Sequence, residues 1–379
     1  MQDAYITGVG RFLPGPTISN KEVEDYIGCI HGQPSAFRAA TLRKNGIKTR
    51  HYAVDIEGNH LYTNAQMAAE AIRAAAANAK HDVASLQLLA TSTTQGDLLV
   101  PGFASAVHGE LGIPPLELAS FQSVCASSMM AIKNAYLNIR SGDKQTAAAC
   151  GSEFSSRWFR PGFYESCVAE EEARKPPIDL DFLRWTLSDG AGALFIEPNP
   201  KSDGVSLRCD WIDLQSFADR FDPCMYAGSS SNVPGENLPW SHYASPQEAY
   251  QAGAMALRQD FELLYKMFPV WLGYYLSLMD KHGFNPESID YYLPHYSAKS
   301  LGEEMKKLMK SAGAMIPEER WFNNLTTVGN TGSASIFLML EELLREQDLQ
   351  PGQTILCFVP ESGRCIASFM HLTVVTNKD

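Results

Sequence analysis

The chain is expected to fold as two similar α/β halves around a mainly parallel β-sheet. Helical segments and short apolar segments alternate along it, which is typical of parallel sheets. Two stretches in different parts of the chain repeat the same order of segments, and 379 residues are more than one ordinary domain needs. With 45% hydrophobic and 20% charged residues, the composition is that of a globular protein.

The first stretch contains a helix, a strand, a second helix and a second strand. An alanine-rich helix is predicted over 64–80, and a short apolar strand over 86–93. An apolar helix follows Cys125 directly and ends at Gly142, and the small residues of 145–153 predict a buried strand. The sequence therefore places a thiol at the start of a helix that the fold buries.

The second stretch repeats this pattern in the C-terminal part of the chain. Strands are predicted over 288–297 and 353–363, and a helix with a polar start is predicted over 329–346. The two copies share little identity, so the comparison depends on the order of the segments. We divide the chain into an N-terminal half, 1–200, and a C-terminal half, 201–379.

One offset of 205 residues relates the two stretches. It relates Cys125 to Asn330, and it relates Ala90 to His295. In a pseudo-symmetric pair of halves, helix N-termini and strand carboxyl ends meet where open α/β sheets bind ligands. Cys125, His295 and Asn330 are the polar residues at these positions, so we expect them to share one site.

Charge and cysteine content exclude several classes of function. A formal net charge of −12 does not suit a nucleic-acid binder, which needs a basic surface. The eight cysteines are never closer than eight positions apart, so we expect neither a metal site nor a disulfide framework. The N-terminus reads as a strand without a signal segment, and no apolar run is long enough for a membrane helix, which predicts a cytoplasmic protein.

Six motifs run through nearly the whole chain in the order found in a known family. They are GVGRFLP (8–14), GIKTRHYA (46–53), VCASSMMA (124–131), SDGAGALF (188–195), LPHYSA (293–298) and VGNTGSASI (328–336). On these motifs the sequence resembles the β-ketoacyl-acyl-carrier-protein synthase III branch of the thiolase superfamily. The resemblance implies a thiolase-like fold, in which two pseudo-symmetric βα halves form five layers in the order αβαβα.

The resemblance assigns Cys125 as the nucleophile and His295 and Asn330 as its partners. It also implies that the backbone amides of Cys125 and Gly363 form an oxyanion hole, and it implies no cofactor. A thiol at a helix N-terminus is expected to have a lowered pKa, and its acyl thioester stays activated. The imidazole and the carboxamide would then donate hydrogen bonds to the thioester oxygen of the second substrate.

Each of these residues also has a structural interpretation. A buried free cysteine is often only a small core residue, and a lone histidine after a strand is often structural. Asn330 would be able to cap the helix that follows it as well as act in catalysis. The ordered set of motifs favours the catalytic interpretation for Cys125, and the other seven cysteines are interpreted as packing residues.

Several features depart from the ordinary chain-initiating enzyme of this family. The segment before Gly46 lacks the tryptophan that stacks on coenzyme A, and PESG (360–363) replaces three glycines. The aromatic-rich segment 154–187 is longer, which predicts either a roof over a wide apolar cavity or a surface flap or dimer contact. Glu153 ends the strand before this segment, where it would act either as a base on a carbon between two carbonyls or as a capping or ion-paired residue.

These departures resemble the bacterial ketosynthase/cyclases that form dialkylresorcinols and isopropylstilbene. In those enzymes an α,β-unsaturated acyl chain and a β-ketoacyl chain are joined by two carbon–carbon bonds into a cyclohexanedione-type ring. The resemblance predicts a ketosynthase, an acyltransferase that condenses an acyl chain on Cys125 with a β-ketoacyl or malonyl-type thioester. Glu153 would be the base for ring closure.

Three other functions stay open. The first is chain initiation by decarboxylative condensation, and the second is acyl transfer to an oxygen or nitrogen nucleophile on the same fold. The third is a non-catalytic partner subunit. Asn330 argues for condensation rather than acyl transfer, and the intact set of Cys125, His295 and Asn330 argues against a subunit without activity.

A basic stretch directly after His295 is the candidate docking surface for an acidic acyl carrier protein. Three of its lysines share one predicted helical face and a fourth lies alongside. These lysines are Lys299, Lys306, Lys310 and Lys307. The alternative is a solvated face whose lysines pair with Glu303 and Glu304, and coenzyme A thioesters are the alternative substrates.

The family resemblance also implies a homodimer. Leu99 and Val100, in the loop GDLLVPG, are the candidate residues that would reach the tunnel of a neighbouring subunit. We expect no nucleic-acid partner and no membrane.

Overall fold

The computed structural model describes residues 1–230 and 238–377. The strands are β1 (Tyr5–Phe12), β2 (Ile18–Ser19), β3 (Thr49–Arg50), β4 (Leu88–Thr93), β5 (Glu117–Gln122), β6 (Ala147–Glu153), β7 (Gly190–Glu197), β8 (Ser206–Ser216), β9 (Met225–Tyr226), β10 (Ser229–Ser230), β11 (Leu238–Pro239), β12 (Arg258–Gln259), β13 (Tyr291–Pro294), β14 (Thr354–Phe358) and β15 (Ile366–Val375). The α-helices are α1 (Val23–Ile27), α2 (Arg38–Asn45), α3 (Asn64–Asn78), α4 (Phe103–Leu111), α5 (Ser127–Ser141), α6 (Ile178–Arg184), α7 (Pro246–Gln251), α8 (Phe261–His282), α9 (Lys299–Ser311), α10 (Leu325–Val328) and α11 (Ser335–Glu346).

Nine of these strands form one sheet, in the order β13-β14-β15-β8-β1-β7-β6-β4-β5. The strands β5-β4-β6-β7-β1 come from the first part of the chain, and β13-β14-β15-β8 come from the second. In the first part β1 lies beside β7, and in the second part β8 lies beside β15. Pairing of β1 with β8 joins the two parts into one sheet. The predicted α/β fold with two corresponding parts is confirmed, and the division at residue 200 stays a prediction.

The expectation of a mainly parallel sheet is wrong, because the sheet is mixed. Only the pairs β4–β5, β4–β6 and β13–β14 are parallel, whereas β1–β7, β6–β7, β14–β15, β15–β8 and β1–β8 are antiparallel. Between β14 and β15 the chain turns within a few residues, and so short a connection can join only antiparallel neighbours.

The predicted segments of both stretches are present with shifted ends. The predictions over 64–80, 86–93 and 145–153 correspond to α3, β4 and β6, and the helix after Cys125 is α5. The second stretch contains β13, α11 and β14. The largest shift is at α11, which begins only at Ser335 because residues 332–334 form a 3-10 turn.

Helices cover both faces of the sheet around β1 and β7. A Cβ atom at Gly10 would lie 2.1 Å from the Ala71 carbonyl of α3, so the backbone of β1 meets this helix directly. Ala193 pairs with Gly10 and faces the same way, whereas Gly192 faces the other way. A Cβ atom at Gly192 would lie 2.4 Å from Phe337 of α11. This part of the fold is therefore a helix–sheet–helix sandwich.

Two further findings concern membrane-spanning helices and metal sites. No helix in the described part of the chain is long and apolar enough to cross a membrane. Within residues 1–230 and 238–377, no group of three or more His, Cys, Asp or Glu side chains is arranged to hold a metal ion.

Candidate active site

Cys125 lies in the turn between β5 and α5, at the amino end of the buried helix. Its side chain is only 7% exposed. The Ser127 and Ser128 hydroxyls donate hydrogen bonds to the carbonyls of Val124 and Cys125, at 2.6 and 2.7 Å. These bonds tie the turn to the first residues of the helix and hold the thiol in place.

His295 reaches Cys125 from the second part of the chain. It follows β13, and its backbone amide donates a hydrogen bond to the Phe358 carbonyl at the end of β14, at 2.8 Å. The side-chain Nε2 then lies 3.0 Å from the Cys125 Sγ. Burial lowers the pKa of His295 to about 4. The imidazole is therefore neutral at neutral pH and is able to accept or donate a proton.

Asn330 lines the same pocket as Cys125 and His295. Its Oδ1 accepts a hydrogen bond from the Gly332 amide at 2.9 Å, and its Nδ2 donates none to a described residue. The side chain does not cap α11, as one interpretation of the sequence required, because that helix begins only at Ser335. The carboxamide N–H groups are thus available to a substrate oxygen.

Glu361 is a residue of this site that the sequence reasoning missed. It lies in the turn between β14 and β15, and its side chain is buried. The Ser123 hydroxyl donates to its Oε1 at 2.5 Å, and the Ala126 amide donates to its Oε2 at 3.1 Å. One carboxylate therefore binds the residues on both sides of Cys125. In the PESG motif, the sequence alone points to Gly363 and not to Glu361.

The expectation that the helix end lowers the pKa of Cys125 is wrong. Burial raises the pKa of this thiol well above its usual value, and the nearby carboxylates of Glu361 and Glu153 add to the rise. Glu361 accepts the hydrogen bond of the Ala126 amide, one of the donors that would otherwise favour a thiolate. The resting pair of Cys125 and His295 is therefore neutral thiol and neutral imidazole.

Glu153 ends β6 and is buried below the turn that carries Asn330. The amide and hydroxyl of Thr94 donate to its Oε1 at 3.0 and 2.9 Å, and those of Ser333 donate to the same oxygen at 3.1 and 2.6 Å. Its Oε2 accepts no hydrogen bond from the described residues. Burial raises the pKa of Glu153 to about 7, against the opposing effect of the Ser333 and Thr94 hydrogen bonds.

Two glycines permit this close approach between the two parts of the chain. A Cβ atom at Gly151 would lie 2.4 Å from the Ser333 carbonyl, so only glycine lets the Asn330 turn rest on β6. Gly332 has a φ of +52°, and a Cβ atom there would lie 3.1 Å from the Glu153 carboxylate. The positions of Asn330 and Glu153 therefore depend on both glycines.

Two cavities lie side by side at the site. The pocket of Cys125, His295 and Asn330 has a volume of about 50 Å³. A second cavity of about 800 Å³ is lined by Glu153, by Arg157 and uncharged polar side chains, and by apolar side chains. Both cavities share the wall residues Val124, Leu187 and Met225. The carboxylate of Glu153 thus belongs to the wide cavity, next to the narrow pocket that holds the thiol.

The amides of Cys125 and Gly363, predicted to form an oxyanion hole, stay a prediction. Neither donates a hydrogen bond to the backbone of another described residue. A Cβ atom at Gly363 would lie 3.0 Å from Val124 and 2.9 Å from the Glu361 carboxylate, so the turn rests against the residue before the nucleophile. An oxyanion hole needs two amides that are able to donate to the same substrate oxygen.

Three of the four lysines of the candidate docking surface are paired with glutamates of the same chain. Lys306 pairs with Glu303 and Glu318, Lys307 pairs with Glu304, and Lys310 pairs with Glu318, at 2.6 to 3.2 Å. Lys299 forms no ion pair with a described residue. These contacts favour the solvated-face interpretation for the three paired lysines, and carrier docking stays a prediction.

The aromatic-rich segment and the dimer loop border the wide cavity. From the segment 154–187, Phe154, Trp158 and Leu187 line it, as the roof interpretation expected. Leu99 also lines this cavity and is 73% exposed, and Val100 is 80% exposed. No partner chain is present, so their contact with a neighbouring subunit stays a prediction.

The fold and this site together define a class of protein. A buried thiol, a neutral imidazole and a carboxamide come from two corresponding parts of one mixed sheet and surround one pocket. This arrangement suits an enzyme that accepts an acyl group on sulfur and transfers it.

Comparisons with known proteins agree with this class. The family described as "3-Oxoacyl-[acyl-carrier-protein (ACP)] synthase III C terminal" matches residues 279–370. The β-ketoacyl-[acyl-carrier-protein] synthase III of Neisseria gonorrhoeae is 26% identical over 370 residues, which cover 94% of this chain and 95% of that protein. Residues 279–370 therefore match the C-terminal part of this family, and the chain is similar along most of its length to β-ketoacyl-carrier-protein synthase III enzymes.

Solved structures share the fold along the whole chain. AbyA1, a tetronic acid condensing enzyme, superposes with a TM-score of 0.76 at 21% identity and covers 97% of this chain and 99% of its own. OleA of Xanthomonas campestris, solved with lauric acid and lauroyl-CoA, superposes with a TM-score of 0.73 at 18% identity and covers 98% and 99%. At these identities the likeness concerns the fold alone.

Proposed function

We propose that this chain is a ketosynthase that also closes a ring. It joins an acyl chain held on Cys125 to a β-ketoacyl or malonyl-type thioester, and it then forms a cyclohexanedione, the precursor of a resorcinol. The observation that carries the proposal is Glu153, a buried carboxylate on the wall of a wide cavity next to the thiol, with one oxygen that accepts no hydrogen bond from the described residues.

The first step is transfer of an acyl group to the thiol. His295, 3.0 Å from the sulfur, takes the thiol proton as the sulfur attacks the acyl carbon. The new carbon–sulfur bond forms while the bond to the carrier sulfur breaks, and the departing thiolate takes the proton from His295. The amides of Cys125 and Gly363 stabilise the oxyanion during this exchange.

Ring closure then needs three carbons from each chain. Glu153 removes a proton from the carbon between the two carbonyls of the β-ketoacyl chain, and this carbanion adds to the β-carbon of an unsaturated acyl chain on Cys125. The proton returns to the α-carbon of the acyl chain. The carbon on the other side of the ketone attacks the acyl carbon, and its proton passes through His295 to the Cys125 sulfur as that sulfur leaves.

The environment of Glu153 suits this task. A pKa of about 7 leaves a substantial fraction of the carboxylate ionised at neutral pH, while its conjugate acid remains able to return the proton. Four hydrogen bonds hold one oxygen, and the other accepts none from the part of the chain that the structure describes. The cavity of about 800 Å³ has room for a second chain, which the pocket of about 50 Å³ does not have.

The test is a comparison of wild type with Glu153→Gln, each incubated with an unsaturated acyl thioester and a β-ketoacyl thioester. We expect wild type to gain the acyl mass on Cys125 and to release a cyclic product. The variant should still be acylated but release no ring, because an amide cannot take the proton. Mass spectrometry follows both events.

A surface glutamate supplies the control. Glu262→Gln removes a carboxylate that, among the described residues, pairs only with the exposed Lys266, so ring formation should be unchanged. Ring formation by Glu153→Gln at the wild-type rate would refute the cyclase assignment. Absence of acyl mass on Cys125 in wild type would refute the ketosynthase as a whole.

Chain initiation is the second candidate function. The narrow pocket beside Cys125 favours a short primer, and the Neisseria gonorrhoeae relative is named β-ketoacyl-[acyl-carrier-protein] synthase III. Incubation with a short acyl thioester and a malonyl thioester separates the two functions. Initiation gives a linear β-ketoacyl product and carbon dioxide, and Glu153→Gln leaves that reaction intact.

We propose acyl carrier protein as the partner that delivers the thioesters, and a homodimer as the assembly. β5 is the edge strand of the sheet, with Leu118 39% exposed, and the loop that contains Leu99 and Val100 is also exposed. A second copy that covers this edge would satisfy its unpaired backbone and its apolar side chains. Sedimentation velocity should give a dimer that Leu118→Lys weakens, and a wild-type monomer would contradict the proposal.

A further inference from the structure

A single side chain connects the nucleophile turn to the turn of the proposed oxyanion hole. Glu361 accepts the Ser123 hydroxyl on Oε1 and the Ala126 amide on Oε2, so both carboxylate oxygens are engaged. Its own turn is closed by a backbone bridge in which Glu361 and Ile366 exchange hydrogen bonds of 2.9 and 3.3 Å. The carboxylate also lies under Gly363, whose Cβ would be 2.9 Å from Oε1.

The charge of Glu361 opposes the effect of the helix that follows Cys125. The amino end of a helix carries partial positive charge, which favours an anion such as a thiolate. A carboxylate bonded to the Ala126 amide at this end offsets that charge within the first turn. The ionisable groups that face Cys125 are His295, Glu361 and Glu153, and none of them is a cation at neutral pH.

We propose that Glu361 is a positioning residue of this site. It holds the Cys125 and Gly363 amides in a fixed position relative to each other, and it keeps the resting nucleophile a protonated thiol. The inference rests on the proposed role of Cys125. As a consequence, the Cys125 thiol is not ionised in the resting enzyme. It becomes reactive only when His295 accepts its proton during acylation. Burial raises the pKa of both Glu361 and Cys125, in keeping with this arrangement.

The proposal predicts which change frees the thiolate. In Glu361→Gln the negative charge is gone, and one of the two hydrogen bonds is lost because an amide has only one acceptor oxygen. The midpoint pH for alkylation of Cys125 by iodoacetamide should then fall by about one unit, because removing a negative charge at the helix end favours the thiolate. Glu361→Asp keeps the charge and should restore part of the wild-type profile.

The measurement is the rate of Cys125 carbamidomethylation against pH, followed at the Cys125 peptide by mass spectrometry, with Cys125→Ala as the blank. Because alkylation needs no thioester, the result does not depend on whether the chain condenses or cyclises. The matched control is Glu24→Gln, which removes a half-buried carboxylate that is bonded to the Ser35 amide and to Arg38. Its profile should equal that of wild type.

The outcomes separate a positioning role from a structural one. A lower alkylation midpoint in Glu361→Gln, with that of Glu24→Gln unchanged, supports the proposal. The rate of acylation of Glu361→Gln by an acyl thioester should also fall, because the two oxyanion-hole amides are no longer held in position. An unchanged or higher midpoint in Glu361→Gln overturns it. A fall of equal size in Glu24→Gln also overturns it, because the effect would then come from a general loss of stability.

Discussion

Ser333 donates two hydrogen bonds to Glu153 across the junction of the two parts of the chain, from its amide at 3.1 Å and from its hydroxyl at 2.6 Å. Both end on Oε1, so the second oxygen of the carboxylate stays unbonded within the described residues. A residue 180 positions away in the sequence thus sets the orientation and the basicity of the proposed base.

The pH dependence of ring closure should follow Glu153. Below its pKa of about 7 the carboxyl is protonated and cannot take a proton, so the single-turnover rate of ring formation should rise as pH increases through about 7. Ser333→Ala removes a hydrogen bond to the charged form, which should raise the midpoint by about one unit. Ser155→Ala, at a serine that lines the cavity, should leave the midpoint unchanged. A profile in Ser333→Ala identical to wild type would contradict this role.

Gly332→Ala should damage both stability and ring closure. Its φ of +52° disfavours any L side chain, and the new Cβ would lie 3.1 Å from the Glu153 carboxylate. We expect a loss of about 1–2 kcal/mol in the free energy of unfolding, measured by denaturant titration, together with slower ring formation. Gly273→Ala, on an exposed position of α8 with open space around it, should instead raise stability slightly. Equal effects of the two changes would contradict the structure at Gly332.

Asn330→Ala should separate acylation from condensation. The carboxamide is proposed to stabilise the enolate of the second substrate, so its loss should lower the condensation rate about 100-fold while the acyl mass on Cys125 still appears. The control is Asn324→Ala, since the side chain of Asn324 bonds Glu342 at 2.9 Å away from the pocket. Loss of acylation in Asn330→Ala would place the residue in the first step instead.

Carrier docking should depend on Lys299 more than on its neighbours. Lys306, Lys307 and Lys310 are already paired with glutamates, whereas Lys299 forms no ion pair with a described residue. Lys299→Glu should raise the KM for carrier-bound substrate about fivefold, as expected for the reversal of one solvated charge, and leave the KM for a pantetheine thioester unchanged. Lys307→Glu should have the smaller effect. Equal KM values for wild type and both variants would exclude this surface.

Much of the fold follows from local patterns. Residue size and periodicity predict three buried elements without tertiary information. They are the alanine-rich helix α3, the apolar helix α5 and the strand β6 with its small residues. Strand direction could not be derived in this way, because the antiparallel return of β15 depends on a turn whose length is visible only once both strands are located.

Residue types and their spacing predict the main residues of the candidate site, but not all of it. Cys125, His295 and Asn330 were expected to meet, and the structure brings them to one pocket. Glu361 was missed because a glutamate in a turn normally faces water, and nothing local marks it as buried beneath a helix end 235 residues away in the sequence. The pKa of Cys125 was expected to move in the wrong direction for the same reason.

By itself, the sequence determined the alternation of helices and strands, the position of a thiol before a buried helix, and the spacing of its two partners. Only the tertiary structure decided the protonation state of that thiol, the environment of Glu153 and the size of the two cavities. These properties depend on burial and on charges that come from distant parts of the chain, and no local pattern of residues contains them.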